Sequence, residues 1–315
     1  MLVGDPHQLP SIAAGGLLAG LAARLEPIEL TENRRQHHAW ERTALERLRD
    51  GPVEPALAAY AGHGRITHGR DRSEVFERLV ADWQSTGDPD ATVMIAHYRR
   101  DVAELNARAR HAMRARGALS GDELEAGGLH FAVGDRAVVR RNDRQLDVRN
   151  GERGTVIAVD SAAGTLTLRI GARERMLPRA FLARRTRAGD PSLQHGYAIT
   201  AYVAQGLTCR TALVLVHDDA DREWAYTALS RGRERNQLYT VMDTARDRHE
   251  YAPAAPSRDP DQRLVSALGR SRQQQLASDQ SADLVRRARA RDELAQARER
   301  RGRSRSADRN VGIER

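Results

Sequence analysis

The sequence predicts an α/β protein: a parallel sheet buried on both faces, interrupted by a small antiparallel β-barrel and followed by a helical or disordered tail. Three observations carry this. Continuous apolar runs such as Thr92–Ala96 and Ala212–Val216 stand next to amphipathic segments, the texture of strands covered by helices on both sides. From Phe131 to Leu182 the pattern changes to short alternating strands parted by turn pairs such as Asn150-Gly151 and Ala163-Gly164. Beyond Tyr251 the chain turns to Pro, Ser, Gln, Asp and Arg, with 17 arginines against 11 acidic residues from Arg246 to Arg315.

Each element follows from local pattern. Leu2 and Val3 read as the end of a buried strand running into Gly4 and Asp5. Leu17, Leu18, Leu21 and Leu25 recur at helical spacing until Pro27 ends the run. A short apolar segment, Ile28–Leu30, feeds the polar turn that carries Arg34 and Arg35. Helices are predicted from about Ala39 to Arg49, stopped by Gly51-Pro52, and over Glu74–Ser85, where Val75, Leu79, Val80 and Trp83 form the apolar stripe. A helix of about a dozen residues follows the Thr92–Ala96 strand. Ala212–Val216 and Gln237–Met242 supply the last two strands. The resulting domain reading is a first segment over 1–28, the α/β lobe over 29–115, a linker over 116–130, the barrel over 131–186, the return of the lobe over 187–250 and the tail over 251–315.

The chain has 315 residues, 40% apolar and 30% charged, with a formal net charge of +8 and a pI of about 10.4. That balance favours an anionic partner such as nucleic acid. Every one of the 51 basic residues is arginine; there is no lysine. A single cysteine, Cys209, excludes an intrachain disulfide. The longest uncharged apolar stretch, Pro10–Ala23, contains three glycines and falls short of the roughly 18 residues a membrane span needs, so the reading is cytoplasmic, with no membrane partner.

Four stretches carry candidate chemistry. In GDPHQLP, Gly4 permits close backbone approach, and the neutral amide of Gln8 both donates and accepts. In LTENRRQ the arginines follow an apolar run at the predicted exit of a strand, where α/β folds place ligands, and a planar guanidinium matches a phosphate bidentately. HGYAITAYVAQGLT reads as a helix with a glycine C-cap, or as a loop in which Thr200, Tyr202, Gln205 and Thr208 touch a nucleic-acid backbone or nucleotide. AYTALSRGRERNQLY places Ser230, Arg231 and Gly232 between a helical segment and a strand.

In this order the four stretches resemble motifs III, IV, V and VI of superfamily-one DNA helicases, and in particular the RecD-like helicase portion of conjugative relaxases of the MobF type. The resemblance covers about residues 1 to 245, including the place of the barrel. It implies a RecA-like lobe in which Gln8 senses the γ-phosphate, Arg35 binds it, and Arg231 is the arginine finger. It further implies a nucleotide site bordered by Gly4, Asp5, Gln8, Arg35, Gly206 and Arg231, and single-stranded-DNA contacts through Thr200, Tyr202, Gln205 and Thr208. Tyr202 stands where the family usually has histidine.

The family places its phosphate loop, GxxxxGK[ST], and its Asp-Glu magnesium site upstream of GDxxQLP. The resemblance therefore implies the C-terminal half of a helicase, one that uses ATP with Mg²⁺ in the complete enzyme and binds neither well alone. No separate metal site is predicted. The implied partners are single-stranded DNA and a separately encoded relaxase or first-lobe protein. A non-enzymatic DNA-binding module and a degenerate remnant are the alternatives.

Overall fold

The computed structural model describes residues 3–9, 17–22, 24–25, 27–28, 32–88, 90–242 and 259–273. The chain divides into two units, one of residues 1–6, 10–30 and 273–315, the other of residues 7–9 and 31–272.

In the first unit α1 (Leu17–Ala22) realises the predicted leucine periodicity. Gly4 lies so close to it that a Cβ at Gly4 would sit 2.6 Å from Leu18 Cδ2. The strand end read at Leu2–Val3 is not seen at Val3, which is 83% exposed; Leu2 lies outside the described residues, as does most of the tail, 274–315, and the Glu29–Leu30 part of the apolar run before Arg34.

The second unit is built on a five-stranded, all-parallel sheet in the order β1 (Ile66–Gly69), β12 (Gly232–Val241), β11 (Cys209–Leu215), β2 (Thr92–Ala96), β10 (Ala198–Thr200). Alternation along β2 explains the apolar run. Val93 and Ile95 join one core with Leu45, Leu48 and Tyr60 of α2 (Ala39–Asp50) and α3 (Val53–Gly62), while Met94 and Ala96 join the other with Phe76, Leu79 and Trp83 of α4 (Arg72–Ser85) and Leu105 of α5 (Arg99–Ala115). A strand sandwiched between helices must be apolar on both faces, hence no alternation in its sequence. α4 begins where Asp71 accepts the Glu74 N–H at 3.0 Å, an N-cap worth about 1 kcal/mol.

The predicted barrel is two antiparallel sheets around one core. Five strands run in the order β8 (Arg173–Leu177), β7 (Thr165–Ile170), β6 (Arg153–Asp160), β5 (Arg136–Val139), β9 (Leu193–His195), and the hairpin β3 (Ser120–Ala126) and β4 (Leu129–Val133) packs Leu124 and Phe131 against Val156 and Leu168. The stretch read as a linker, 116–130, thus carries β3, and β9 lies beyond the predicted boundary at 186. α6 (Arg179–Leu182) follows β8.

Two residues, Gly196 and Tyr197, join β9 of the barrel to β10 of the parallel sheet. Gly196 is forced by close approach: a Cβ there would lie 2.8 Å from the Ala137 carbonyl carbon. Its carbonyl accepts from Arg153 Nε and Nη2 at 3.0 and 2.8 Å. Tyr197 donates its hydroxyl to buried Asp135 at 2.6 Å, and Arg110 of α5 donates to the same carboxylate at 3.1 Å. α7 (Ala201–Ala204), α8 (Arg222–Leu229) and α9 (Pro260–Leu268) complete the unit, α9 burying Leu264, Ala267 and Leu268.

Candidate functional site

The arginines of the second and fourth stretches meet on one peptide. Arg35, half-buried in the loop before α2, donates Nη1 to the Ser230 carbonyl at 2.8 Å, and Gln36 Nε2 donates to the same oxygen at 3.2 Å and to the Gly232 carbonyl at 2.8 Å. Arg231 lies between those two residues, where α8 ends and β12 begins. Its side chain is wholly buried: Nε donates to the Thr227 carbonyl at 2.6 Å, Nη1 to the Leu207 carbonyl at 3.4 Å, and Nη2 to the Ser230 hydroxyl. The fourth stretch is thereby tied to the third, since Leu207 sits inside the Gln205–Thr208 loop.

The first stretch joins as well. The Leu9 N–H, one residue after Gln8, donates to the buried Thr227 hydroxyl at 3.0 Å. Thr227 therefore serves Leu9 with its side chain and Arg231 with its carbonyl. Gly4 and Asp5 belong to the other unit.

Behind this knot stands an amide that the sequence did not signal. Asn236 of β12 accepts the Gly232 N–H at 2.8 Å and donates to the Gly232 carbonyl at 3.1 Å and to Glu41 Oε1 at 2.9 Å. Gly232 is required here because a Cβ would lie 2.3 Å from the Arg235 carbonyl. Burial pushes the Glu41 carboxyl above its usual value, and the Asn236 hydrogen bond only partly opposes it. Gln36 stood inside the quoted LTENRRQ, but its clamp on two carbonyls 194 and 196 residues away has no local signature.

The third stretch spans two ends of the sheet. Thr200 closes β10 and N-caps α7, its hydroxyl accepting from Val203 N at 3.4 Å. Tyr202 is 44% exposed on that turn. Gln205, Gly206 and Thr208 are exposed at the opposite end, where β11 begins, with Gly206 in the left-handed region at φ 82°. The helix read across this stretch is a single turn, because strand pairing of Ala198–Thr200 with β2 claims its first half.

Thr200 also borders a groove of about 710 Å³ between α5 and the barrel strands β5 and β9. Its walls carry Arg99, Arg110, Arg114, Arg140 and Arg185. Three of these are paired: Arg99 with Asp190 at 2.9 Å, Arg110 with Asp135 and Glu123, and Arg114 with Glu123. Arg140 is different. Burial lowers its pKa, Asp190 offsets this in part, and among the described residues its buried Nε has no hydrogen-bond partner. A groove lined with cations, one of them under-coordinated, accepts a polyanion more readily than a neutral ligand.

Among the described residues no group of His, Cys, Asp and Glu is arranged to hold a metal ion, and no helix is long and apolar enough to cross a membrane.

Known proteins share parts of this chain. A family described as an AAA domain matches residues 1–71. The conjugal transfer protein TraA of Rhizobium radiobacter is 37% identical over 247 residues, 76% of this chain and 22% of that protein. The ATP-dependent RecD2 DNA helicase of Deinococcus radiodurans is 27% identical over 240 residues, 75% of this chain and 32% of that protein. A crystal structure of Pif1 helicase from Bacteroides in complex with ADP-AlF3 and single-stranded DNA overlays with a TM-score of 0.48 at 18% identity, covering 75% of this chain and 60% of that one. The chain spans about a fifth to a third of the length of the curated relatives it matches. Over three quarters of its length the chain is thus homologous to TraA conjugal transfer proteins and, at lower identity, to the RecD2 DNA helicase.

Proposed function

We propose that this chain is the arginine-donating lobe of an ATP-driven single-stranded-DNA translocase of conjugative DNA processing. The observation that carries the reading is the shared Ser230 carbonyl, which holds Arg35 beside the peptide of Arg231 while Arg231 holds the Gln205–Thr208 loop. Charge arriving at this edge is felt at once by the phosphate-side arginines and by the loop.

The residues present fit an ATP γ-phosphate. Arg35 commits Nη1 to Ser230 and keeps the rest of its fork for an anion. ATP with Mg²⁺ supplies the phosphoryl group that is hydrolysed. Arg35 orients that group. Arg231 exchanges its carbonyl partners for phosphate oxygens, a contribution worth about 10³ to 10⁵ in rate for an arginine finger. Release of Thr227 and Leu207 by Arg231 frees the loop, and this couples hydrolysis to movement of the strand. Gln8, beside the Leu9 anchor, reports the phosphate to the same helix end. The sequence contains no lysine, so in this reading the lysine of a phosphate loop is supplied by another lobe.

In this reading single-stranded DNA lies in the arginine-lined groove, with Thr200 on its wall and exposed Tyr202 two residues further along the chain. Because the groove is formed entirely by the second unit, a non-enzymatic DNA-binding module is the second reading. DNA-stimulated ATP hydrolysis by the chain, alone and mixed with a purified first lobe from a relative, separates the two. Activity in the mixture supports the translocase; no activity, with DNA retention that fades as salt rises, supports the module.

A further inference from the structure

The groove between α5 and the barrel holds one carboxylate among its arginines. Asp190 lines it together with Arg99, Arg110, Arg114, Arg140 and Arg185, and among the described residues it is the only acid that does. Glu123 and Asp135, which pair with Arg114 and Arg110, stand outside the lining.

The backbone fixes where this carboxylate stands. The Thr186 N–H donates to the Asp190 carbonyl at 2.8 Å, the Gly189 N–H to the Thr186 carbonyl at 3.0 Å, and the Asp190 N–H to the Thr186 hydroxyl at 3.1 Å. Two residues on, the Ser192 N–H donates to the Arg184 carbonyl at 3.0 Å, and the Ser192 carbonyl accepts from the Arg140 N–H at 2.8 Å. The loop 186–190 is thus closed on itself and tied to the chain next to the end of β5. None of these bonds uses the Asp190 carboxylate, which is left to the groove.

There it meets Arg99, the first residue of α5, whose Nη1 lies 2.9 Å from Asp190 Oδ2. Arg99 is 67% exposed, and an ion pair in that setting adds little to stability. A backbone phosphate can replace the carboxylate on the same guanidinium fork, because its two free oxygens match the fork bidentately. Arg140 lines the same groove with its buried Nε unpartnered among the described residues, and the Asp190 charge offsets part of the drop that burial causes in its pKa. Asp190 therefore serves Arg99 by contact and Arg140 through its field.

We propose that Asp190 is a built-in competitor for the groove: in the unbound chain its carboxylate takes the place of a single-stranded-DNA phosphate on Arg99, and an entering strand displaces it. The proposal rests on the DNA-binding role given to the groove above. A tethered carboxylate lowers the grip on each passing phosphate, which suits a surface that must release a strand as readily as it takes one.

The test is fluorescence anisotropy of the full chain with a labelled oligothymidylate of about 20 nucleotides, titrated between about 50 and 200 mM salt. Asp190→Asn keeps the backbone bonds of the loop and the size of the side chain. It is expected to tighten binding about three- to tenfold and to steepen the log–log salt slope by up to about 0.7, since Arg99 then neutralises a phosphate without releasing a carboxylate. Asp190→Glu, which retains the charge, falls short of that gain. Arg99→Gln costs more affinity in the Asp190→Asn background than in wild type, because only there is Arg99 free beforehand. Asp147→Asn removes a carboxylate from Arg173 and Arg175 outside the groove, and controls for net charge. Unchanged or weaker binding by Asp190→Asn overturns the inference alone, as does an equal gain in Asp147→Asn. An Arg99→Gln loss of the same size in both backgrounds also overturns it. No binding of the oligothymidylate by wild type and by Asp190→Asn alike overturns the underlying reading, and the inference with it.

Discussion

Gln36 gives this site its rigidity at the scale of a residue. One amide nitrogen satisfies two buried carbonyls, Ser230 and Gly232, that flank Arg231. Gln36→Leu removes one donor from each and leaves Arg35 on Ser230 and Asn236 on Gly232, so a loss of about 1 kcal/mol is expected, read as a lower urea midpoint at unchanged m-value. Glu41 makes a pH prediction. Its carboxyl is raised in the folded state, so the fold prefers it protonated. That preference stabilises at pH values below the ordinary glutamate range and is lost as pH rises through the raised folded value. Urea titrations are expected to show a stability difference between wild type and Glu41→Gln that shifts against wild type as pH rises from 4 to 7; parallel curves would contradict this. The arginines were legible as residues, because a pair after an apolar run and an SRG before a strand are local patterns. Arg231's burial was not, because it depends on carbonyls of Leu207 and Thr227 brought in by two other elements.

Among the elements, the two-residue join between β9 and β10 holds the barrel to the parallel sheet. Tyr197, Arg110 and the Ala132 N–H all converge on Asp135, and Asn106 exchanges two hydrogen bonds with Ala198 at 3.0 and 2.8 Å. Barrel and sheet are therefore fastened on both sides of the crossing. Tyr197→Phe removes one charge-assisted bond and is expected to cost about 1.5–3 kcal/mol. Thermal unfolding followed by circular dichroism and tryptophan fluorescence checks it: a coincident but lower transition fits a fastened junction, and an unchanged one contradicts it. The legibility of elements followed their environment. β2 and β11 announced themselves because both faces are buried. β3, SGDELEA, did not: it is an exposed hairpin strand that turns only Leu124 and Ala126 inward, so its acids masked it.

Taken as a molecule, the second unit presents two working edges joined by α7. At one end of the parallel strands lie Arg35, Arg231 and the Gln205–Thr208 loop; at the other lie Thr200, Tyr202 and the arginine-lined groove. The proposed translocase uses this separation, with phosphate at one edge and the strand at the other. Replacing Arg99 and Arg140 together by Gln is expected to weaken retention of single-stranded DNA at about 0.1 M salt and to make its salt dependence shallower, as measured by anisotropy alongside circular dichroism. Undiminished retention would place the DNA elsewhere.

In the proposed device the phosphate-side arginines and the Gln205–Thr208 loop act together. Its most direct test is ATP turnover by a mixture of this chain and a first lobe bearing the phosphate loop, with and without single-stranded DNA. Wild type should show DNA-stimulated turnover that Arg231→Ala and Arg35→Ala each reduce by about 10³ or more, whereas full activity in both variants would contradict the account.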